Sequence, residues 1–226
     1  MTTFQRARSE EQRQTRRQQI LATTAVMLEE MPAGALSLNE LSRRVGLAKS
    51  NVLRYFESRE AILLELLDQA WKQWLADIRS ELAEQQSEQA ATLQRAEQFA
   101  GVLADSLIER PVLCDLMSAQ IGVLEHNVSA NVAARYKRAA LNNIGDLAVL
   151  ARTHVPELGD AAYPLCVRMI MLIGAVWTAS FPSPATLAAC EADPSLGAQC
   201  MDFGPDLRQI LTVLAAGTLV TQGRMC

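Results

Sequence analysis

Residues 37–59 read SLNELSRRVGLAKSNVLRYFESR, which is the pattern of two short helices joined by a turn. Ser37 and Glu40 have the spacing of a capping box, in which a hydroxyl and a carboxylate satisfy the free amide groups at a helix start. Gly46 can adopt the left-handed backbone conformation that ends a helix, and Leu47 can then pack under the corner. The stretch therefore predicts a helix, a sharp turn and a second helix.

The second helix, predicted over residues 49–56, has two faces of different character. Spacing by three and four residues puts Val52, Tyr55 and Phe56 on an inner face. The outward side chains are types that neutralise phosphates or contact base edges: Lys49, Ser50, Asn51, Leu53 and Arg54. The outer face thus predicts binding to double-stranded DNA. The alternative is an ordinary surface helix, because two helices joined by a glycine turn form a common corner in helical proteins.

The segments on both sides of this corner favour DNA binding. Apolar residues of the preceding segment repeat on one face and predict a helix over residues 17–30, ending before Pro32. Ser58 follows the corner as the N-cap of another helix. In this order of elements the first quarter of the chain resembles the TetR (tetracycline-repressor-type) family of bacterial transcription regulators. The resemblance implies an all-α fold, with an N-terminal three-helix helix-turn-helix DNA-binding domain and a larger C-terminal helical domain.

The resemblance also implies roles for individual residues. Ser37 and Asn39 match positions that meet phosphate, and sometimes base, at the start of the first corner helix. Tyr55 matches a phosphate contact at the edge of the second helix, and Arg59 matches a basic residue that holds the DNA backbone. The full predicted DNA-binding set is Ser37, Asn39, Lys49, Ser50, Asn51, Leu53, Arg54, Tyr55 and Arg59.

Two residues depart from the family pattern. Ala48 stands where Ser or Thr commonly caps the second corner helix, which weakens that cap by up to roughly 1 kcal/mol. Leu53 replaces a frequent tyrosine and so removes one hydroxyl contact.

Charge is distributed unevenly along the chain. Residues 1–60 carry ten Lys and Arg against seven Asp and Glu, a net charge of +3, whereas the remainder carries −7. A net-acidic protein does not bind DNA by bulk charge, so the affinity must come from a local basic face and depend on salt. Residues 1–16 predict a mobile basic and polar leader. This leader either reaches the adjacent minor groove or is only a solvated arm, and we favour the arm.

Three regions are predicted: the leader at 1–16, a helix-turn-helix DNA-binding domain at 17–60, and a helical ligand-binding and dimerisation domain at 61–226. A long apolar stripe over residues 58–82 predicts a helix that touches both domains and can transmit changes between them. Further helices are predicted over residues 92–109, 111–124, 129–154, 161–180 and 206–221. Residues 181–205 form either a surface loop or a partly helical excursion around 185–192.

Several classes of site are not indicated by the sequence. The first twenty residues lack the apolar run of a signal peptide, and the run at 169–181 is too short to span a bilayer, so we expect a cytoplasmic protein without membrane association. The cysteines lack the paired spacing of a metal site, and we expect no metal and no cofactor. Cys114 and Cys166 are expected to be buried. Cys190 and Cys200 lie in a predicted loop, where the alternative to two reduced thiols is a redox pair.

The last two helices predict a homodimer. Small residues lie among their large ones: Gly174, Ala175, Ala179, Ala215, Ala216 and Gly217. Helices that are apolar nearly all round bury one face in their own domain and another in a partner, which gives an isologous four-helix interface. Two DNA-binding domains related by a two-fold axis require a palindromic operator.

The resemblance implies a small-molecule cavity inside the larger domain. Its candidate lining is Phe99, Met117, Gln120, Ile121, Asn142, Asn143, Met171, Trp177 and Phe181. Each of these residues is otherwise plain core, except that Gln120 and Asn143 need polar partners if they are buried. The larger domain has few basic clusters, which favours an apolar or amphipathic ligand over a polyanion.

The function predicted is that of a dimeric, sequence-specific transcriptional repressor, released from its palindromic operator by a small apolar or amphipathic ligand. An alternative is a small-molecule-binding or interaction dimer whose DNA binding is weak and non-specific. An enzyme is not predicted, because the chain has no phosphate-binding glycine loop, nucleophile elbow or convincing acid/base pair.

Overall fold

A computed structural model describes residues 3–84, 90–199 and 201–223 of the 226-residue chain. Within these ranges the protein is all-α, as predicted, and contains no strand. The α-helices are α1 (Thr3–Glu30), α2 (Leu38–Val45), α3 (Lys49–Val52), α4 (Arg59–Glu84), α5 (Thr92–Ile108), α6 (Pro111–Ala119), α7 (Ala130–His154), α8 (Ala162–Ser180), α9 (Pro184–Ala192) and α10 (Phe203–Gly223). We refer to α1–α3 as the head and to α4–α10 as the body.

The first helix is twice as long as the sequence analysis predicted. It begins at Thr3 rather than near residue 17, so it includes most of the segment that we expected to be a mobile leader. The side chains from Glu10 to Arg16 are exposed. Gln, Arg and Glu have high helix propensity, and a helix already anchored by packing extends at little cost because its nucleus exists. The absence of an apolar face is therefore no sign that a helix ends.

The head has a small core at the meeting point of its helices and the start of α4. Ile20, Leu41, Val52 and Ile62 are completely buried. They come from α1, α2, α3 and α4 respectively, so each helix of the head contributes to one core. Burial of these four side chains fixes the angle at which α3 is held against the rest of the head.

The body surrounds α8, which packs against α6, α7 and α10. Leu165, Met169 and Ile173 of α8 are completely buried. By length and hydropathy alone, the described segment Pro156–Ser180 could cross a membrane, and it is longer than the apolar run noted in the sequence. Its contacts on three sides are those of a core helix in a folded domain, with 44% of the apolar window buried.

Two connections differ from a simple series of helices. The α6 helix stops at Ala119 and continues as a π-helical turn, Gln120–Leu124, and a 3₁₀ turn, Glu125–Asn127, whereas one helix was predicted over 111–124. Residues 184–192 form α9, so the helical option for this region is confirmed. Ser183 caps α9, because its hydroxyl accepts the Thr186 amide at 3.2 Å.

The described cysteines behave mainly as small apolar residues. Cys114 and Cys166 are buried, as predicted, and burial raises the pKa of each thiol to about 12. Cys190 is half-buried on α9, and its suggested redox partner Cys200 lies outside the described residues. Among the described residues, no three His, Cys, Asp or Glu side chains are grouped to hold a metal ion.

Candidate DNA-binding site

The first corner helix, α2, begins with the predicted cap. Ser37 has an extended backbone, and its hydroxyl accepts the Glu40 amide at 3.1 Å. The other half of the capping box was predicted wrongly, because the Glu40 carboxylate instead accepts from Arg43 at 2.6 Å and from Arg44 at 3.1 Å. These guanidinium bonds, chiefly that of Arg43, hold the pKa of Glu40 at about 2.

The turn between the corner helices depends on Gly46. Its backbone has φ 71° and ψ 31°, and the Gly46 amide donates to the Arg43 carbonyl at 3.2 Å. The Leu47 amide donates to the Ser42 carbonyl at 3.0 Å, which completes the predicted helix end. A side chain at Gly46 would meet no atom within 4 Å, so only backbone strain selects glycine there.

The second corner helix is shorter than predicted. Regular α-helix covers only Lys49–Val52, and the chain then continues in tight turns, with the Tyr55 amide donating to the Val52 carbonyl at 2.9 Å. Ala48 provides no side-chain cap, in agreement with the weak cap predicted there. Val52 and Phe56 are buried, and Tyr55 is half-buried, so the predicted inner face is present.

The outer face of this corner consists of polar and cationic side chains open to solvent. The exposed residues are Ser37, Asn39, Lys49, Ser50, Asn51, Leu53 and Arg54. Among the ion pairs of the described chain, none involves Lys49 or Arg54. Two cations without carboxylate partners, beside the amide of Asn51 and the hydroxyl of Ser50, have the chemistry that phosphates and base edges require.

Arg59 has an internal role that the sequence did not indicate. Its Nη1 donates to the Leu36 carbonyl at 2.7 Å, and its Nη2 lies 2.9 Å from Oε1 of Glu60. The side chain therefore ties the start of α4 to the segment that leads into α2. Its predicted contact with the DNA backbone would have to use whatever hydrogen-bonding capacity these partners leave.

Arg17 is a residue that the sequence analysis missed. It donates to the Tyr55 carbonyl at 2.7 Å and to both carboxylate oxygens of Glu65 on α4, and its guanidinium lies 4.0 Å from the centroid of the Phe56 ring. Its signal was its position, since Arg17 precedes Ile20 and Leu21 by three and four residues and so shares their inward face. This side chain holds the end of α3 against α1 and α4.

A polar groove of about 880 Å³ lies between the first half of α1 and the end of α3. Arg13, Arg16 and Arg54 contribute three cationic groups against the single carboxylate of Glu11, and Gln12, Thr15 and Gln19 contribute hydrogen-bonding groups. The extended α1 therefore enlarges the basic surface next to the outer face of α3. This arrangement suits the phosphates that flank a bound site.

The predicted ligand-lining residues do not converge on one cavity inside the protomer. Phe99 and Met117 are buried in the core, while Asn142, Met171 and Phe181 are exposed and Trp177 is half-buried. Asn142 and Met171 thus do not line an internal cavity. Ile121 belongs to the π-helical turn after α6.

The two amides singled out as needing partners have them. Gln120 donates to Glu125 at 3.0 Å, and Asn143, which is buried, donates to Asp68 at 3.1 Å. Internal bonding therefore accounts for both side chains.

Comparison with known proteins agrees with this geometry. The family "Bacterial regulatory proteins, tetR family" matches residues 20–66, and the family "Tetracyclin repressor-like, C-terminal domain" matches residues 68–222. A TetR transcriptional regulator from Rhodococcus sp. RHA1 is 13% identical, with a TM-score of 0.55 over 92% of this chain and 96% of that one. The fatty acid degradation regulator FadR from Bacillus halodurans is 12% identical, with a TM-score of 0.53 over 88% of this chain and 98% of that one. These two structures show a shared fold.

Curated proteins give no significant match to the chain. The C-terminal family alone matches more than half of the residues, and the N-terminal family matches the helix-turn-helix whose outer face is described above. The chain belongs to the TetR family of bacterial transcriptional regulators, which are DNA-binding proteins and not enzymes.

Proposed function

We propose that this protein is a cytoplasmic dimeric repressor that binds a palindromic operator and is released from it by a small apolar or amphipathic ligand. The observation that supports specific DNA binding best is the outer face of α3, where Lys49 and Arg54 are exposed without ion-pair partners beside Ser50 and Asn51. Residues 17–60 would act as the DNA-binding domain, and residues 61–226 as the ligand-binding and dimerisation domain.

The proposed dimer uses α8 and α10. Met171 on α8 is 58% exposed, and Val213 and Val220 on α10 are 64% and 50% exposed. With the small residues Ala175 and Gly217 between them, these side chains form an apolar surface that lets helices approach closely. Burial against the same surface of a second copy removes this apolar area from water and generates two-fold symmetry, which requires half-sites in inverted repeat.

Three contacts between the head and the body support coupling between a ligand and DNA. Arg17 pairs with Glu65 of α4, and the Ala33 amide donates to Asp115 of α6 at 2.6 Å. The Glu57 carboxylate accepts the hydroxyl and the amide of Ser129, both at 2.6 Å, and these bonds lower the pKa of Glu57. A ligand that moves α4, α6 or the start of α7 would therefore move the head. A coupling of about 1–3 kcal/mol changes DNA affinity roughly 5- to 150-fold.

One observation favours a second candidate, an interaction or small-molecule-binding dimer with weak, non-specific DNA binding. Leu53, in the middle of the outer face, is 40% exposed and offers no hydrogen bond, and α3 is short and lacks a side-chain cap. Affinity that is equal for unrelated DNA sequences would favour this candidate.

The test is selection of tight-binding duplexes from a random DNA library, followed by affinity measurement at two salt concentrations. Enrichment of an inverted repeat, with affinity that falls as salt rises, is the expected result. A folded, dimeric protein that enriches no sequence at either salt concentration would contradict specific DNA binding and favour the second candidate.

A further inference from the structure

A mainly apolar cleft between head and body lies where α1 ends. It has a volume of about 630 Å³ and is bounded by residues 28–32 at the end of α1, by one face of α6, and by the last turn of α8. Met31 and Pro32 form the head side of the cleft, and Trp177 and Phe181 form the body side. A molecule that fills the cleft therefore contacts both parts of the protein.

The aromatic wall of the cleft is held in place from behind. The ring centroids of Trp177 and Phe181 are 4.3 Å apart with an interplanar angle of 41°. The ring of Phe203, which is buried, meets Trp177 edge-on at 5.0 Å. Phe181 remains 58% exposed, so an aromatic face that is already ordered is available to a ligand. Such faces attract cations as well as apolar groups.

The charged side chains that line the cleft are all acidic. Carboxylates come from Glu29, Glu30 and Asp115, and none of the described residues that line the cleft is basic. Glu30 pairs with Arg44 at 2.6 Å, and Asp115 accepts the Ala33 amide. Glu29 is exposed and takes part in no ion pair found within the described chain. The cleft that the aromatic pair lines thus has one carboxylate with neither an ion-pair partner nor a bonded amide in the described chain.

We propose that this cleft binds an organic cation with bulky apolar groups, and that this cation is the effector of the protein. The proposal deepens the proposed function and rests on it, because it names the ligand class that would control DNA binding. The aromatic rings contact the apolar groups of the ligand, and Glu29 and Asp115, which both line the cleft, attract the positive charge.

The body side of the cleft is a rigid surface against which the head can be positioned. A Cβ atom at Gly174 would lie 3.2 Å from the Met117 carbonyl oxygen and 3.2 Å from the Ser118 Cα, so α8 and α6 are in backbone contact beside the cleft. The head side is joined to this surface by the bond between Ala33 and Asp115. A ligand in the cleft consequently binds best at one spacing between head and body. This difference in affinity between conformations is what couples ligand binding to DNA binding.

The cleft and the proposed dimer surface adjoin each other on α8. Gly174, Trp177 and Phe181 recur at three and four residues and face α6 or the cleft, whereas Thr178 lines the cleft on the side of the helix that carries Met171 and Ala175. The proposed dimer surface therefore begins at the edge of the cleft and leaves the Trp177 and Phe181 wall facing the end of α1.

Two ions of nearly the same shape and opposite charge test the proposal. Tetraphenylphosphonium and tetraphenylborate are titrated separately into the full-length protein by isothermal titration calorimetry. We expect the cation to bind at least tenfold more tightly than the anion. Saturating cation should also change the affinity for the selected operator by 5- to 150-fold.

Variants locate the binding site. Phe181→Ala should weaken cation binding about tenfold, and Glu29→Gln, which leaves the bond between Ala33 and Asp115 intact, should weaken it to a similar extent. Glu97→Gln on α5 is the matched control, because Glu97 is also exposed but does not line the cleft. Glu97→Gln should bind both the cation and the operator as the parent does.

The outcomes separate the two proposals. Equal affinity for both ions, cation binding that the cleft variants leave unchanged, or no binding at all would overturn the cleft proposal while operator binding stands. Cation binding at the cleft without any effect on the operator would show a site that is not the effector site, which also overturns the proposal. A parent protein that selects no operator would instead overturn the proposed function.

Discussion

The two surfaces proposed to recognise partners carry opposite charge and are built differently. On the outer face of the second corner helix, Lys49 projects from α3 and Arg54 from the turn that follows it, and both are free of ion pairs within the described chain. In the cleft, carboxylates and aromatic rings come from α1, α6 and α8. Arg17–Glu65 pairs a cation with an anion between the head and the body, and Arg44–Glu30 pairs two charges at the rim of the cleft. The proposed DNA contact thus depends on cations without ion-pair partners, whereas among the described carboxylates of the cleft only Glu29 has neither an ion-pair partner nor a bonded amide.

Removal of the two unpaired cations from the outer face of the second corner helix should have the largest effect, a loss of operator affinity. We expect Lys49→Ala with Arg54→Ala to weaken operator binding by more than about 100-fold and to reduce the salt dependence, since each contact with base or phosphate contributes about 1–3 kcal/mol. The measurement is an operator titration at two salt concentrations.

The matched control for this pair is Lys137→Ala with Arg138→Ala, which removes the same charge from exposed positions of α7. It should change operator affinity only slightly. Equal losses in both double variants would mean that overall charge, and not the face of α3, determines binding.

Removal of a charge pair between the two surfaces should have the next largest effect. Arg17→Ala deletes the pair with Glu65, the bond to the Tyr55 carbonyl and the contact with the Phe56 ring. We expect a loss of about 1–2 kcal/mol in the free energy of unfolding, because hydrogen bonds to charged groups contribute about that much when partly buried. Urea unfolding measures it. Arg43→Ala removes a guanidinium that is 74% exposed and should lower the free energy of unfolding much less than Arg17→Ala does, so equal losses would contradict the assigned role of Arg17.

A smaller loss of folding free energy is expected from a substitution in the turn that orients the second corner helix. Gly46→Ala places a side chain at φ 71° and should cost about 1 kcal/mol of folding free energy through backbone strain alone. Gly34→Ala serves as the comparison, since Gly34 has the same open surroundings and does not have a positive φ. Thermal unfolding of the two variants should separate them; if they were indistinguishable, strain at Gly46 would not be significant.

The smallest effect is expected on the pH dependence of stability, which depends on a histidine of the body and on neither recognition surface. His154 is buried, has no hydrogen-bond partner at either ring nitrogen, and faces Phe99, and its burial lowers its pKa, with a further contribution from Arg95. The unfolded chain therefore takes up the proton more readily. Stability should be full above the ordinary histidine pKa of about 6.5 and should decline as pH falls below it.

Urea unfolding at several pH values between 7.5 and 5 measures this decline. The pKa of Glu40 and of Glu157 is about 2, and these carboxylates lose their contribution as pH falls from about 4.5 towards 2, which lies below this window. His154→Leu should remove most of the slope in this window. An unchanged slope would assign the pH dependence to another group.

Local signals in the sequence predicted the head in detail. The caps at Ser37 and Ser58 and the left-handed turn at Gly46 each depend on one or two residues and their neighbours, and all three are present. The inward set of Val52 and Phe56 follows from helical spacing alone. The residues expected to contact DNA remain a prediction, although the exposure of seven of them agrees with it.

The sequence could not predict features that depend on distant partners. Arg59 and Arg17 find carbonyl and carboxylate partners up to 48 residues away, which no local pattern encodes. Phe181 was assigned to an internal cavity, yet it lies on an open cleft formed by residues 28–32, 111–118 and 177–181. The start of α1 was predicted near residue 17 instead of Thr3, because apolar periodicity indicates only the part of a helix that is buried. The solvated part of the helix has no apolar face and so gives no such signal.

The continuity of α1 has a mechanical consequence. A helix of 28 residues is about 42 Å long and resists bending, so it acts as a lever with Glu29 and Glu30 at one end and Arg13 and Arg16 of the polar groove near its middle. These arginines lie roughly 20–25 Å from the cleft along the helix, so a tilt of about 5° there would displace them by about 2 Å, which is enough to break a hydrogen bond of ordinary length. An effector at the cleft therefore needs only a small rotation to take the arginines out of register with the phosphates.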